Sequence, residues 1–264
     1  MRSAFQANGW RADTALKSAV EWFLYDYEYA VKTDMISTRR HDGLPKENII
    51  VTDPRGYAAV INYLMKDFVG NIITNVVIKK ITNLKIGKVE LITGGEEKFF
   101  ARYVLCTFST GVLGSNLVTF EPELPMWKKK AIARIPLAYY THVLVKFPNV
   151  FWDNNEFLIE TRTVRGQFPA IYNLNKEGLH PKSNLLLFTA VSDDSLRIEN
   201  QDDAKTKDEV KKTLTKMYPN AKIPDPTGSR LEKYRYKYII ILLYLLFSKQ
   251  KLLYIYFWGK KGKP

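Results

Sequence analysis

The stretch that decides the fold spans residues 101 to 152 and reads ARYVLCTFSTGVLGSNLVTFEPELPMWKKKAIARIPLAYYTHVLVKFPNVFW. Its first apolar run, Tyr103 to Cys106, is unbroken, which predicts a strand covered on both faces. A glycine-containing turn, a proline-bounded basic helix and an aromatic-rich strand follow. In that last strand Tyr140, His142, Leu144 and Lys146 alternate with their neighbours, so they share one face.

The length and composition limit which classes of protein this chain can belong to. A chain of 264 residues can hold one large domain or two small ones. Its 46% apolar and 25% charged residues are ordinary for a soluble globular protein. The single cysteine, Cys106, excludes an internal disulfide and a cysteine-based zinc site. The first fourteen residues lack the apolar stretch of a signal peptide. From the composition we expect a soluble protein, whose compartment the sequence does not indicate.

The net charge of +13 resides largely in the C-terminal tail. Residues 231–264 carry eight Lys or Arg and one Glu, which leaves only +6 for the rest of the chain. A nucleic-acid interface instead interleaves basic and aromatic residues on one folded surface, so we expect no nucleic-acid partner. The apolar run from Tyr238 to Phe247 is too short to cross a bilayer, so we expect no membrane contact through the tail.

The tail, residues 228–264, differs in composition from the rest of the chain. From Lys233 onward it is built mostly from Lys, Tyr, Ile, Leu and Phe, which are residues of A/T-rich codons. We hypothesise that it is translated non-coding sequence, such as a retained intron. Sequencing the transcript across the Thr227 codon decides this, because a continuous exon through Pro264 contradicts it.

Helical periodicity marks the first long element. Between residues 14 and 30 one apolar stripe recurs at helical spacing, and we expect it to be buried: Leu16, Val20, Phe23 and Tyr27. Glu28 and Tyr29 fall at the end of this helix.

A second helix is predicted to begin at Asp53-Pro54, where Asp53 would cap the free amides and Pro54 would occupy the first helical position. Its expected buried face comprises Tyr57, Val60, Ile61, Leu64 and Phe68.

Short strands and one more helix complete the pattern. Strands are predicted around residues 72–81, 89–93 and 98–108, and the apolar run Leu185 to Val191 predicts a buried strand. Residues 203–217 predict a charged helix with Val210, Leu214 and Met217 facing inward. The fold class is therefore mixed α/β, in part antiparallel.

Several motifs in a fixed order resemble the flavin-containing amine oxidases, polyamine oxidases most closely. They are DPRGY (53–57), VIKKI (77–81), ARYVLCTFSTGVL (101–113), FEPELPMWKKKAI (120–132), VKFPNVFW (145–152), RGQFPAIYNL (165–174), SLRIENQDD (195–203) and MYPNAKIPDPT (217–227). The resemblance covers about residues 14 to 227. A set of this size is far more specific than one short motif.

The resemblance implies a domain organisation. Residues 1–48 and 129–227 would form a substrate-binding domain, a mixed sheet with flanking helices. Residues 49–128 would be part of an FAD-binding domain.

It also implies a chemistry. The family oxidises the C–N bond of a polyamine, of the spermine and spermidine class, with hydride transfer to FAD and release of hydrogen peroxide. The cofactor carries the difficult step, while the protein supplies placement and electrostatics.

Four residues match the family's catalytic and substrate positions. His142 stands where the family carries a lysine that holds a water near the flavin, and a hydrogen-bonded strand histidine without a catalytic role is the alternative. Glu28 would attract a polyammonium ion, or is a solvated helix-end glutamate. Tyr29 and Tyr140 would line a sleeve for cations, or are core aromatics. The other histidines, His41 and His180, show no metal-ligand spacing.

Cofactor contacts are implied for Val77 and Ile78 on one strand and for Thr110 and Gly111 at a turn. The family's G-x-G-x-x-G loop, which places a pyrophosphate against a helix N-terminus, is absent from this sequence, as is its closing flavin-binding segment. We therefore expect an incomplete chain that binds FAD weakly and is inactive alone. The alternative is a non-catalytic remnant or a partner-binding module of the same ancestry.

Overall fold

The structure, a computed structural model, describes residues 1–37, 51–67, 69–84, 87–161, 167–227, 232–237 and 252–255. The helices are α1 (Arg2–Ala7), α2 (Ala15–Glu21), α3 (Tyr27–Tyr29), α4 (Tyr57–Met65), α5 (Thr110–Leu113), α6 (Met126–Ala133), α7 (Ser192–Asn200) and α8 (Asp203–Met217). A π-helical turn, Trp22–Asp26, joins α2 to α3, and short 3-10 turns lie at Thr33–Met35 and Val69–Asn71.

The strands are β1 (Ile78–Leu84), β2 (Lys88–Thr93), β3 (Lys98–Ala101), β4 (Tyr103–Cys106), β5 (Thr119–Glu121), β6 (Tyr139–Lys146), β7 (Phe157–Ile159), β8 (Ala170–Asn173), β9 (Leu185–Val191), β10 (Glu232–Lys237) and β11 (Leu252–Ile255). The mixed α/β class predicted from the sequence is confirmed. The chain divides into two compact units, one of residues 1–63 and 138–237 and one of residues 64–137 and 238–264. The assignment of substrate and FAD domains stays a prediction.

The first unit is built on a five-stranded sheet in the order β10-β6-β9-β8-β7, with every neighbouring pair antiparallel. Residues on one face of β6 and β9, including Val143 and Phe188, are fully buried in a cluster that contains residues of α7 and α8. From α8 this cluster takes Val210 and Leu214, with Met217 packed against it, which confirms the predicted inward face of that helix.

Polar contacts hold α7 and α8 to each other and to the sheet. Arg197 on α7 donates to both Glu209 oxygens on α8 at 2.9 Å and to Asp194 at 3.1 Å. Thr141 on β6 shares a 2.7 Å hydrogen bond with Ser195 of α7, and both side chains are buried. Such pairs satisfy polar groups that burial would otherwise penalise.

The second unit contains a four-stranded sheet in the order β3-β2-β1-β5, in which only β1 and β5 run parallel. Its small core comprises Ile78, Ile81, Leu91, Phe108 and Val118. Separately, β11 pairs in parallel with β4. The prediction that β4 is covered on both faces is wrong, because Tyr103 and Leu105 on one face are exposed.

The predicted buried stripe on the first helix is wrong at two of its positions. Leu16 and Val20 are exposed to 63% and 38%, whereas Ala19 and Trp22 are buried. Phe23 and Tyr27 pack against the core as expected. The π-helical turn contributes to this change, since it shifts the register between the two halves of the helix.

The second predicted helix begins at Tyr57 rather than at Asp53-Pro54. The Asp53 carboxylate instead accepts from the Arg55 backbone N–H at 2.9 Å and from its guanidinium at 2.7 Å. Gly56 follows with a φ of +60°, which interrupts a right-handed helix. The predicted buried face is also wrong, because no described residue of α4 is buried and Tyr57 is 65% exposed. Phe68 lies outside the described residues.

A matched pair of leucine substitutions tests this division between core and surface. Leu214→Ala should lower the free energy of unfolding by about 2–5 kcal/mol, because it leaves a cavity under the sheet. Leu16→Ala, the same change on an exposed helix face, should cost less than about 0.5 kcal/mol. Urea unfolding followed by circular dichroism measures both. Equal losses would contradict the described packing.

Candidate functional site

The sheet of the first unit presents two different faces because side chains alternate along β6. Thr141, Val143 and Val145 point toward α7 and α8. Tyr140 and His142 point to the opposite face, as the sequence predicts. The functional candidates on β6 therefore lie on the face away from the main core.

The π-helical turn and α3 cover one end of this opposite face. Trp22 is buried in a cluster with Tyr140, Ala170 and Val191. The Tyr27 ring lies 5.7 Å from the Tyr140 ring, centre to centre, and the Phe23 ring lies 5.2 Å from that of Phe157. These distances are typical of edge-to-face aromatic pairs.

Together these rings form a surface that we call the aromatic face: Phe23, Tyr27, Tyr140, Phe157 and Tyr172. The Phe157 and Tyr172 rings stack with centres 4.6 Å apart on neighbouring strands. The faces of such rings carry partial negative charge and attract cations. Apart from Tyr140, these residues are half-buried, so the surface is in part open to solvent.

His142 extends the aromatic face along β6. Its ring lies 4.9 Å from that of Tyr140, and its Nδ1 shares a 3.1 Å hydrogen bond with Oγ1 of Thr189, its partner across the strand pair. Burial lowers the pKa of His142 from 6.5 to about 4, because the charged form loses hydration. The imidazole is therefore neutral at physiological pH.

Glu28 and Tyr29 stand at the C-terminal end of the helix whose Tyr27 contacts Tyr140. The chain then reverses at Ala30, which is buried in the left-handed conformation with a φ of 53°. Both side chains are half-buried, and burial raises the pKa of the Glu28 carboxyl. The structure thus brings Tyr140 and His142 into contact and holds Glu28 and Tyr29 on the neighbouring helix end.

Buried hydrogen bonds between Asp26 and Thr33 stabilise that chain reversal. One Asp26 oxygen accepts from the Thr33 backbone N–H at 2.9 Å and from its hydroxyl at 2.7 Å. Lys32 next to it pairs with Asp193 at the start of α7. These contacts anchor the chain on both sides of Ala30, so the helix end keeps a defined position.

A second carboxylate lies beside the aromatic face. The Tyr172 hydroxyl donates to Oε1 of Glu156 at 3.2 Å. Partial burial, reinforced by Glu156, raises the pKa of Tyr172 to about 12, so the phenol stays protonated. The exposed Glu156 therefore supplies negative charge at the β7–β8 edge.

The four residues predicted to contact a cofactor all lie in the second unit. Val77 precedes β1 and is exposed, whereas Ile78 is buried in the core with Phe108. Thr110 and Gly111 open α5, a four-residue helix capped by Ser109. Gly111 is exposed, and a Cβ on it would lie 2.6 Å from the end of the Leu137 side chain, which would have to move.

These positions fit FAD only in part. Val77 and Gly111 are exposed, but the Ile78 side chain is committed to the core. The described residues of this unit also contain no glycine-rich loop that opens a long helix, which a pyrophosphate requires. FAD contact by the four residues stays a prediction.

The described ranges contain neither a candidate metal site nor a candidate membrane-spanning helix. Nowhere in them do three or more His, Cys, Asp or Glu side chains gather in a way that could hold a metal ion. No helix there has the length and apolarity needed to span a membrane. His41 lies outside the described residues, as do Arg165 and Gly166 of the 165–174 motif.

Sequence reasoning missed several residues of this surface. Thr189 was detectable as the one polar residue within the run Leu185 to Val191, and a polar group in a buried strand usually has a partner. Phe157, Tyr172 and Glu156 gave no comparable signal, because their proximity depends on the pairing of β7 with β8.

Comparisons with known proteins identify the family. The sequence pattern of the family "Flavin containing amine oxidoreductase" matches residues 4–238. Polyamine oxidase 7 of Oryza sativa subsp. japonica is 36% identical over 227 residues, and polyamine oxidase 1 of Zea mays is 32% identical over 234 residues. These matches cover 79% and 81% of this chain and 47% and 46% of the relatives, so the chain spans about half their length.

A solved structure supports the fold. Cyclohexylamine oxidase from Brevibacterium oxydans superposes with a TM-score of 0.51 at 21% identity, covering 69% of this chain and 38% of that one. This likeness concerns the fold, and the family pattern and the plant relatives show that the chain belongs to the family of flavin-containing amine oxidoreductases.

Proposed function

We propose that this chain supplies the amine-binding surface of an FAD-dependent polyamine oxidase, which oxidises a C–N bond of a spermine- or spermidine-class substrate. The observation that carries the proposal is the aromatic face, in which Tyr172 contacts Glu156 and Tyr27 is followed by Glu28 at the helix end, and which continues into the neutral imidazole of His142. Support also comes from the plant polyamine oxidases that are 32–36% identical to the chain over the aligned residues.

The physical chemistry of this surface suits a polyammonium ion. Such a substrate carries several positive charges separated by methylene segments. The faces of Tyr27 and Tyr172 can hold the cations, while the rings also cover the methylene groups. Glu28 and Glu156 add negative charge at two places beside the rings. Each contact is modest, but a long flexible cation uses several of them.

His142 would keep this surface free of a fixed positive charge. A lysine at the same position would repel a polyammonium ion, whereas a neutral imidazole does not. Its hydrogen bond to Thr189 fixes the ring orientation. We propose that His142 positions the substrate or a water by hydrogen bonding, in place of the lysine that the family resemblance implies.

FAD would accept the hydride and pass the electrons to oxygen, as the family membership implies. The described residues fit FAD only in part. We therefore propose that they bind the amine and do not take part in the oxidation itself. The proposed domain assignment follows: residues 1–48 and 129–227 bind the amine, and residues 49–128 contribute to the FAD side. Val77, Thr110 and Gly111 would contact the cofactor there, whereas Ile78, whose side chain lies in the core, would contribute only its backbone.

Cofactor content separates an oxidase from a non-catalytic relative. The purified 264-residue chain should show little flavin absorbance after incubation with FAD and gel filtration, because its sequence lacks the G-x-G-x-x-G loop. We expect no peroxide release with spermine or spermidine. Stoichiometric flavin together with peroxide release would contradict this and establish an oxidase that is competent on its own.

Amine binding does not require the cofactor, so it can be measured directly. Glu28→Gln should weaken spermidine binding by about three- to tenfold in isothermal titration calorimetry, because it removes one charge beside the aromatic face. The matched control is Glu177→Gln, an exposed glutamate in the same unit. Equal spermidine affinities for the two variants would show that Glu28 does not contribute to amine binding.

The neutrality of His142 is tested by NMR titration. Its imidazole signal, assigned by its loss in His142→Gln, should titrate with a midpoint near pH 4. The folded pKa lies below the unfolded value of 6.5, so protons favour the unfolded chain. This group's contribution to the free energy of unfolding therefore falls as pH drops from 6.5 toward 4. A midpoint near pH 6.5 would contradict the prediction, because it would show that His142 is hydrated and gains charge near neutral pH.

A further inference from the structure

A second candidate site lies away from the aromatic face, between the first residues of the chain and α2. It is a cavity of about 520 Å³, lined by Arg2, Gln6, Trp10, Arg11, Ser18 and Glu21 among others. Small-molecule sites commonly have volumes of roughly 300–1,000 Å³. None of these residues belongs to the proposed amine site.

The floor of the cavity is buried and polar. Ser18 and Glu21 are only 3% and 2% exposed. Nε and Nη2 of Arg2 each lie 3.2 Å from Oε1 of Glu21, so the buried carboxylate is compensated by a charge-assisted contact. This pair ties α1 to α2 and holds the Arg2 guanidinium in a defined position.

The charges around the cavity do not cancel. Asp13 accepts a 2.9 Å hydrogen bond from Lys17, which together with the nearby Arg11 lowers the pKa of the Asp13 carboxyl. Among the residues that line the cavity, Arg2 and Arg11 are basic and Glu21 and Asp13 are acidic, and Lys17, next to the lining, pairs with Asp13. Because the other two cations each have an ion-pair partner, the excess positive charge resides at Arg11. An occupant of matching charge carries one negative charge.

One wall of the cavity is flat and apolar. The Trp10 side chain is 37% exposed, with Lys17 Nζ 6.0 Å from the ring centre. Gln6 beside it offers amide donors. We propose that this cavity binds a small aromatic carboxylate, with the carboxylate at Arg11 and the ring against Trp10. A guanidinium is suited to a carboxylate because its planar donors match the two oxygens.

Calorimetric titration of the full chain with benzoate tests this proposal. We expect saturable binding that benzylamine, which has the same ring and the opposite charge, does not displace. Inorganic phosphate should bind more weakly, since it has no apolar ring to place against Trp10.

Two arginine variants localise the site. Arg11→Ala should weaken benzoate binding about tenfold or more, the value of one charge-assisted contact. The control, Arg134→Ala, removes an exposed arginine of the other unit and should leave the affinity unchanged. Since Arg11 is exposed, its variant should keep the wild-type unfolding midpoint.

Three results would overturn the proposal. They are the absence of saturable benzoate binding, equal affinity in the wild type and Arg11→Ala, and displacement of benzoate by benzylamine. Phosphate binding as tight as benzoate binding would refute the aromatic part of the ligand class. The amine-binding proposal is independent of all these outcomes, because spermidine affinity and Glu28 lie outside this cavity.

Discussion

The antiparallel pairing of β6 with β9 is the constraint on which the first unit depends. Seven residue pairs, from Tyr140 opposite Val191 to Lys146 opposite Leu185, set which side chains reach each face. A slip of one residue would move Val143 out of the core and His142 into it. One register therefore serves both the main core under α7 and α8 and the surface that carries the functional candidates.

The buried face of a helix is predictable from the sequence where another element of the fold covers its apolar residues. The amphipathic pattern of α8 identifies Val210 and Leu214 correctly, because the sheet below them is large enough to cover the helix face. The same reasoning fails for Leu16, Val20 and α4. Periodicity states that a helix has an apolar face, but only tertiary structure decides whether something covers it. The π-helical turn and the left-handed Ala30 are likewise invisible to a periodic pattern.

The candidate site is predictable only along single elements. Alternation on β6 places Tyr140 and His142 side by side, and the helix end carries Glu28 and Tyr29. Thr189, Phe157 and Tyr172 join them through strand pairing, which a single sequence does not reveal. The low pKa of His142 is equally a tertiary effect, because burial rather than any sequence neighbour causes it. The ordered motifs did predict the amine oxidase family, and the comparisons confirm it.

The proposed amine-binding surface is the face of the sheet opposite α7 and α8. The most direct test is a map of amide chemical-shift changes in the isotope-labelled chain on titration with spermidine. If this face binds the amine, the changes should be saturable and concentrated at residues 27–29, 140–142 and 156–157, with little change along α8. Changes spread over surface carboxylates without saturation, or confined to another part of the chain, would contradict it.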